Sequence, residues 1–242
     1  MTRVPHEKIS VIIPACNEAA TLPEIVERVR ATGLVSEIIV VDDGSTDDSA
    51  TVLTRLKNSG QPELRVLRHP RNRGKGAAIR TGLAEVTGAI TLVQDADLEY
   101  NPQEYPALLA PFSEADVEAV YGSRNLRPNL RSTQMFYWGG RFLSWTTNLL
   151  YRSRLTDEAT GYKVIRTPLL RALNLHEDGF EFCPELTGKL LRRGIRIREV
   201  PISYQPRSWA DGKKIRWHHG VTAVWTLLKY RFGPQNARHP SS

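Results

Sequence analysis

The chain has 242 residues, 40% of them hydrophobic and 24% charged, proportions that suit one soluble globular domain plus an extension. No run approaches the ~18 consecutive apolar residues of a membrane span, and the apolar stretch Ile9–Ala15 is too short for a signal peptide. The net charge of +7 is uneven: residues 192–238 carry +9 and the remainder −2, which suits phosphates, an anionic membrane surface or nucleic acid near the C-terminus. Cys16 and Cys183 lie far apart with no metal-ligand spacing, as expected in a reducing cytoplasm.

Residues 9–14 form a short β-rich run, and Leu22, Ile25, Val26 and Val29 then share one helical face, closed by Gly33. The unbroken apolar run Glu37–Val41 predicts a strand buried on both faces, and Asp43–Thr46 turns the chain into a second helix ending near Lys57. Leu64–Leu67 is the third strand, Lys75–Glu85 the next helix and Ala89–Val93 the fourth strand. Asn101 caps a helix with Pro102 in its first turn, and Val117–Tyr121 is a fifth strand. Beyond the polar loop 126–134 the pattern gives a helix near 136–151, a strand near 162–166, a helix at 182–193, a strand near 198–204 and a last helix at 217–232.

Alternation of strand and helix with short loops predicts an α/β fold, a mostly parallel sheet with helices on both faces. Ligands of such sheets sit outside the carboxyl ends of the strands. That rule singles out residues 14–18, 42–45, 95–99 and 122–125. Asp95 and Asp97, two apart at the end of strand four, can face the same way and hold Mg²⁺ or Mn²⁺ against substrate phosphates. Asp42, Asp43, Asn17 and Glu18 have a double reading, as turn and cap residues or as nucleotide contacts. Residues 73–76, Arg-Gly-Lys-Gly, lack the GK[ST] of a Walker A loop, and Ile79 breaks the GxGxxG spacing. Lys75 is left between a helix-start role and a donor-phosphate role.

Together the segments Pro14-Ala-Cys-Asn-Glu18, Val41-Asp-Asp-Gly-Ser45, Arg73-Gly-Lys-Gly76, Asp95-Ala-Asp97, Gly122-Ser-Arg124, Thr160-Gly-Tyr-Lys163, Phe180-Glu-Phe-Cys-Pro-Glu185 and Gly212-Lys-Lys214 carry a resemblance. Over about residues 8–232 the chain resembles family 2 glycosyltransferases with the GT-A fold, and within them the dolichyl-phosphate mannose synthases and polyprenyl-phosphate sugar transferases. The resemblance implies an inverting, metal-dependent hexosyltransferase that takes its sugar from GDP-mannose or a UDP-sugar. It assigns Pro14, Ala15, Glu18, Asp42, Asp43, Lys75, Asp95 and Ala96 to the donor. Asp95 and Asp97 go to the metal, joined by Glu99 where relatives often have Gln. Asp97, Arg124 and Lys213 would carry catalysis, and Arg124, Arg207, Lys213 and Lys214 would meet the acceptor phosphate. Residues 1–206 would be the catalytic domain, and 207–242 a basic loop, helix and tail.

A hydroxyl acceptor needs a positioned base, and Glu177 or Asp178 is the candidate, whereas a phosphate acceptor is already anionic. The basic C-terminus favours a polyprenyl phosphate over a sugar hydroxyl of a polysaccharide or glycolipid. Residues 213–217 lack the Gln of the processive QxxRW motif. A nucleic-acid-binding module would explain the charge, but the acids at the strand ends would repel a polyanion, so no nucleic acid is expected. Trp217, Val221, Val224, Trp225, Leu228 and Phe232 form one helical stripe. Core packing is the ordinary meaning of such a stripe. The alternative is an interfacial helix flanked by Lys214, Arg216, Lys229 and Arg231, working peripherally at the cytoplasmic face of a membrane.

Overall fold

The computed structural model describes residues 7–130, 134–207 and 217–233. Seven strands form one sheet in the order β3-β2-β1-β4-β6-β5-β7. They are β1 (Ile9–Ala15), β2 (Glu37–Asp42), β3 (Leu64–Arg68), β4 (Ile90–Val93), β5 (Ala119–Ser123), β6 (Lys163–Arg166) and β7 (Ile197–Pro201). The first four pair in parallel, β6 runs antiparallel to both β4 and β5, and β7 is parallel to β5.

Strands β1 and β2 are buried on both faces, which is why their sequences are apolar without alternation. Val11 and Ile13 join Ile38 and Val40 in the core under α1 (Leu22–Arg30). Ile12, Ile39 and Val41 face the other way, toward α3 (Lys75–Glu85) and α7 (Phe182–Arg192). The second helix, α2 (Ser49–Asn58), begins later than its sequence suggests, because the intervening loop folds over the ends of β1 and β2. After β4, Asn101 does cap a 3₁₀ turn, accepting from Gln103 N–H, before the short α4 (Tyr105–Leu109). Two further helices, α5 (Gln134–Tyr151) and α6 (Thr167–Ala172), flank β6 in sequence.

The last helix, α8 (Trp217–Phe232), corrects the core-packing expectation. It lands on α5 and α7 through Ala223, Thr226 and Leu227, the face opposite the large residues. Gly188 of α7 leaves room there for Tyr151 and Tyr230, and Tyr151 OH donates to the Leu227 carbonyl. Val221, Trp225 and Phe232 are exposed, Trp225 by 68%, while Val224 and Leu228 are half-buried. The Trp217 side chain lies outside the described residues. Along α5, Met135, Trp138, Phe142, Trp145 and Leu149 are exposed as well. The two helices therefore present apolar surface together, which sequence periodicity assigned to neither in this way.

Candidate functional site

The carboxyl ends of the strands, with the loops beyond them, open into one cavity of about 1050 Å³. Pro14, Ala15, Glu18, Asp43, Lys75, Asp95, Ala96, Asp97, Glu99, Arg124 and Arg207 all contribute to its wall. Lys213 and Lys214 lie outside the described residues.

The loop after β2 is held by one tight turn. Gly44 has φ of +66°, and a Cβ there would run into the backbone of Arg71 and Asn72, so only glycine fits. The turn directs the two aspartates apart. Asp42 is not in the cavity wall: Oδ1 accepts from Ser45 N–H at 2.9 Å and Arg68 Nε stands 3.1 Å from Oδ2. It closes the turn and does not line the cavity to which the resemblance assigned it. Asp43 accepts from Arg73 N–H (2.9 Å) and Gly74 N–H (2.7 Å), and lies 2.7 Å from His69 Nδ1. One carboxylate thus fixes the loop that delivers Lys75. Sequence reading passed over His69, although it follows β3 where the strand-end rule applies.

Lys75 Nζ reaches Asp95 Oδ1 at 2.5 Å. Burial is the largest influence and works against the ammonium, but the acidic groups around it, Asp95 foremost, together hold the pKa above the usual lysine range. Asp97 is pushed up to about 7, by burial first and then by the carboxylates of Asp95 and Glu99. Arg207 answers part of that crowding: it grips Glu18 with two bonds of 2.9 and 3.0 Å and lies 3.4 Å from Asp97 Oδ2. Glu99, expected beside the metal, lines the cavity and has structural partners as well. One oxygen accepts from Arg207 N–H at 2.8 Å and the other from Tyr204 OH at 3.0 Å, so it anchors the strap 204–207.

Crowded carboxylates, one of them, Asp97, with raised proton affinity, suit a hard divalent cation such as Mg²⁺ or Mn²⁺. Among the described residues no three His, Cys, Asp or Glu side chains converge into a closed metal cage. Two carboxylates at one strand end leave most of a cation's coordination shell to other ligands, as in sites where Mg²⁺ or Mn²⁺ is shared with substrate phosphates.

Arg124 is buried against Asp157, with Nε to Oδ2 and Nη2 to Oδ1 both at 2.7 Å, and its guanidinium stacks 5.0 Å from the Tyr204 ring centre. Burial disfavours its charge, and Asp157 more than compensates, raising its pKa. Nothing in the sequence pointed to Asp157, 33 residues away. A second cavity of about 490 Å³ shares Arg124 and Tyr204 with the first and adds Arg127 and Arg141. The proposed bases are spent elsewhere. Glu177 accepts from Lys229 Nζ (2.6 Å) and Tyr230 OH (2.9 Å), Asp178 pairs with Arg80, and neither lines the large cavity.

The far end of the large cavity changes character. It runs between α5 and α8 along Met135, Phe136, Phe142, Leu143, Val221 and Val224. No helix among the described residues is long and apolar enough to cross a membrane.

The chain is similar to undecaprenyl-phosphate 4-deoxy-4-formamido-L-arabinose transferases. The protein of Klebsiella pneumoniae is 31% identical over 218 residues, 88% of this chain and 64% of its own length. That of Sodalis glossinidius is 31% identical over 217 residues, 86% and 63%. The chain thus spans under two thirds of these relatives. Among solved structures, glucosyl-3-phosphoglycerate synthase from Mycobacterium tuberculosis with Mn²⁺, uridine diphosphate and phosphoglyceric acid aligns with TM-score 0.71 at 25% identity, covering 96% of this chain and 81% of that one. The same enzyme with Mn²⁺, uridine diphosphate and glucosyl-3-phosphoglycerate gives TM-score 0.73 at 23% identity over 96% and 82%, a likeness of fold. The family model for glycosyl transferase family 2 matches residues 10–173, and with the sheet order and strand-end acids described above, the chain belongs to that family.

Proposed function

We propose that the protein is an inverting, metal-dependent glycosyltransferase that moves a sugar from a nucleoside diphosphate to a polyprenyl phosphate at a membrane surface. One observation carries the acceptor: a single cavity runs from Asp95 and Asp97 to an apolar corridor between α5 and α8. The names of the relatives support the same acceptor class, and the Mn²⁺ and uridine diphosphate of the M. tuberculosis enzyme support the donor and metal.

In this reading Pro14, Ala15, Glu18 and Asp43 hold the nucleoside, while Lys75 and Arg207 face the diphosphate. Asp95 and Asp97 would hold the divalent cation, which when bound would supply charge neutralisation for the leaving diphosphate. Arg124 and Arg141 meet the acceptor phosphate, joined by Lys213 and Lys214 from outside the described residues. A phosphate oxygen attacks the anomeric carbon, the bond from that carbon to the β-phosphate oxygen breaks, and the nucleoside diphosphate departs. The nucleophile is already anionic, so no general base is required. A hydroxyl acceptor would need one, and both carboxylates nominated for it are tied up in other pairs.

The exposed apolar residues of α5 and α8, with Arg141, Arg152, Arg154 and Lys229 also exposed around them, suit an anionic bilayer surface on its cytoplasmic side. Trp145→Ser with Trp225→Ser should abolish co-sedimentation with anionic vesicles at low salt and leave Tm within about 2 °C, since both indoles are solvent-exposed. Had Trp225 been a core residue, its removal would cost about 3–5 kcal/mol.

The direct test supplies Mn²⁺, a panel of UDP- and GDP-sugars, and undecaprenyl phosphate in vesicles. Formation of a lipid-linked sugar supports the assignment. Transfer confined to free sugars or oligosaccharides overturns the acceptor.

A further inference from the structure

A donor site must read its sugar as well as its nucleotide, and the loop between α5 and β6 offers a group for that purpose. Residues 157–161 touch both halves of the proposed chemistry. Asp157 holds Arg124, and Gly161 packs against the Asp95 carboxylate, leaving no room for a Cβ. Glu158 and Ala159 lie between them and contribute to the wall of the large cavity. The sugar in transit must sit between the diphosphate at Asp95 and the acceptor at Arg124, so this stretch of wall faces it.

Glu158 is 0% exposed, yet neither of its carboxyl oxygens makes a hydrogen bond of normal geometry; the Thr187 hydroxyl is the one side-chain donor near enough to favour its charge. Its backbone is fully engaged: the N–H donates to Ser144 Oγ at 3.0 Å and the carbonyl accepts from Lys163 Nζ at 2.8 Å. The nearest buried polar groups, Lys163 and Thr187, favour its charge but are also engaged elsewhere. The Lys163 ammonium stacks 3.7 Å from the centre of the Tyr121 ring, and Tyr121 OH and Thr187 Oγ1 share a bond of 3.0 Å. Buried polar atoms are nearly always paired, because leaving one unpaired costs stability. Burial also pushes the Glu158 carboxyl up, against the pull of Lys163 and Thr187. Side chains left unpaired at a cavity wall discriminate strongly, since a ligand lacking the matching group leaves them unsatisfied.

We propose that Glu158 selects the donor sugar, its carboxyl hydrogen-bonding a ring hydroxyl of the sugar held between Asp95 and Arg124. This rests on the nucleotide-sugar reading given above. It concerns a residue that the reaction itself does not require.

The test is calorimetry on the full chain with Mn²⁺, using UDP, GDP, UDP-glucose, UDP-galactose, UDP-xylose and GDP-mannose. The parent protein should bind at least one nucleotide sugar more tightly than its bare diphosphate. Glu158→Leu should bind that diphosphate within twofold of the parent and the nucleotide sugar roughly tenfold more weakly. Glu158→Gln, which keeps a donor and an acceptor, should retain most of the affinity and reorder the preference between glucose and galactose. Tm should hold or rise in Glu158→Leu, because an unpaired polar group has been removed. Equal weakening of diphosphate and sugar, with a lower Tm, makes Glu158 a structural residue and overturns the proposal, as does no change in either affinity. Failure of the parent to bind any of the six nucleotides overturns the donor reading itself.

Discussion

Asp97→Asn should lower turnover by at least about 10²-fold, because it removes one of the two carboxylates available to the cation. Nucleoside diphosphate affinity in the variant should no longer respond to Mn²⁺. Calorimetry with and without the ion measures this, and an undiminished Mn²⁺ response would end the metal role of Asp97. The metal-free variant should be at least as stable as the parent. Burial and two neighbouring carboxylates raise the Asp97 pKa from an ordinary 3.8 to about 7. For an acid whose folded pKa is raised, ionisation opposes folding, so metal-free stability falls as pH climbs from about 4 to about 7. Asparagine carries no such charge. The pH dependence of Tm should therefore be flatter in the variant across that window, and adding Mn²⁺ should flatten it in the parent alone.

Asp157→Ala should be the most destabilising of the polar substitutions, by about 3–5 kcal/mol, since it strands the Arg124 guanidinium in a site that is only 23% exposed. For a chain of this length that corresponds to a fall in Tm of the order of 10 °C. Activity should fall with it, because Arg124 loses the fork that aims it at the acceptor. Arg124→Ala should be destabilising as well. The double variant should lose clearly less than the two single losses combined, the signature of a coupled pair. A thermal melt decides the matter. A change under about 2 °C for Asp157→Ala would show that solvent compensates Arg124 and that the pair contributes little.

Much of the site is legible in sequence for a local reason. The apolar runs of β1, β2 and β4 mark strands, the residues just after each run stand at its carboxyl end, and parallel sheets bind ligands there. Glu18, Asp43, Asp95, Asp97 and Arg124 were found by that rule, and all line the same cavity. The rule is blind to what each side chain does next. Glu99 stands beside the metal pair in sequence, but the partners that claim it, Tyr204 and Arg207, are 105 and 108 residues away. Glu177 and Asp178 had the chemistry of a base until packing brought Lys229 and Arg80 to them, 52 and 98 residues distant.

The sequence by itself determined the order of strands and helices apart from the short α6, the acids at the strand ends and the amphipathic character of the last helix, because these follow from short-range periodicity and position. Only the tertiary structure decided which face of α8 is buried. A stripe of large apolar residues suits a core or a bilayer alike, and the choice fell to the face of Ala223, Thr226 and Leu227, which packs against α5 and α7. The pairing of Arg124 with Asp157 and the unpaired Glu158 beside it were settled at the same level. Whether a buried charge finds a partner depends on which distant side chains packing brings within about 3 Å, and no spacing along the chain encodes that distance.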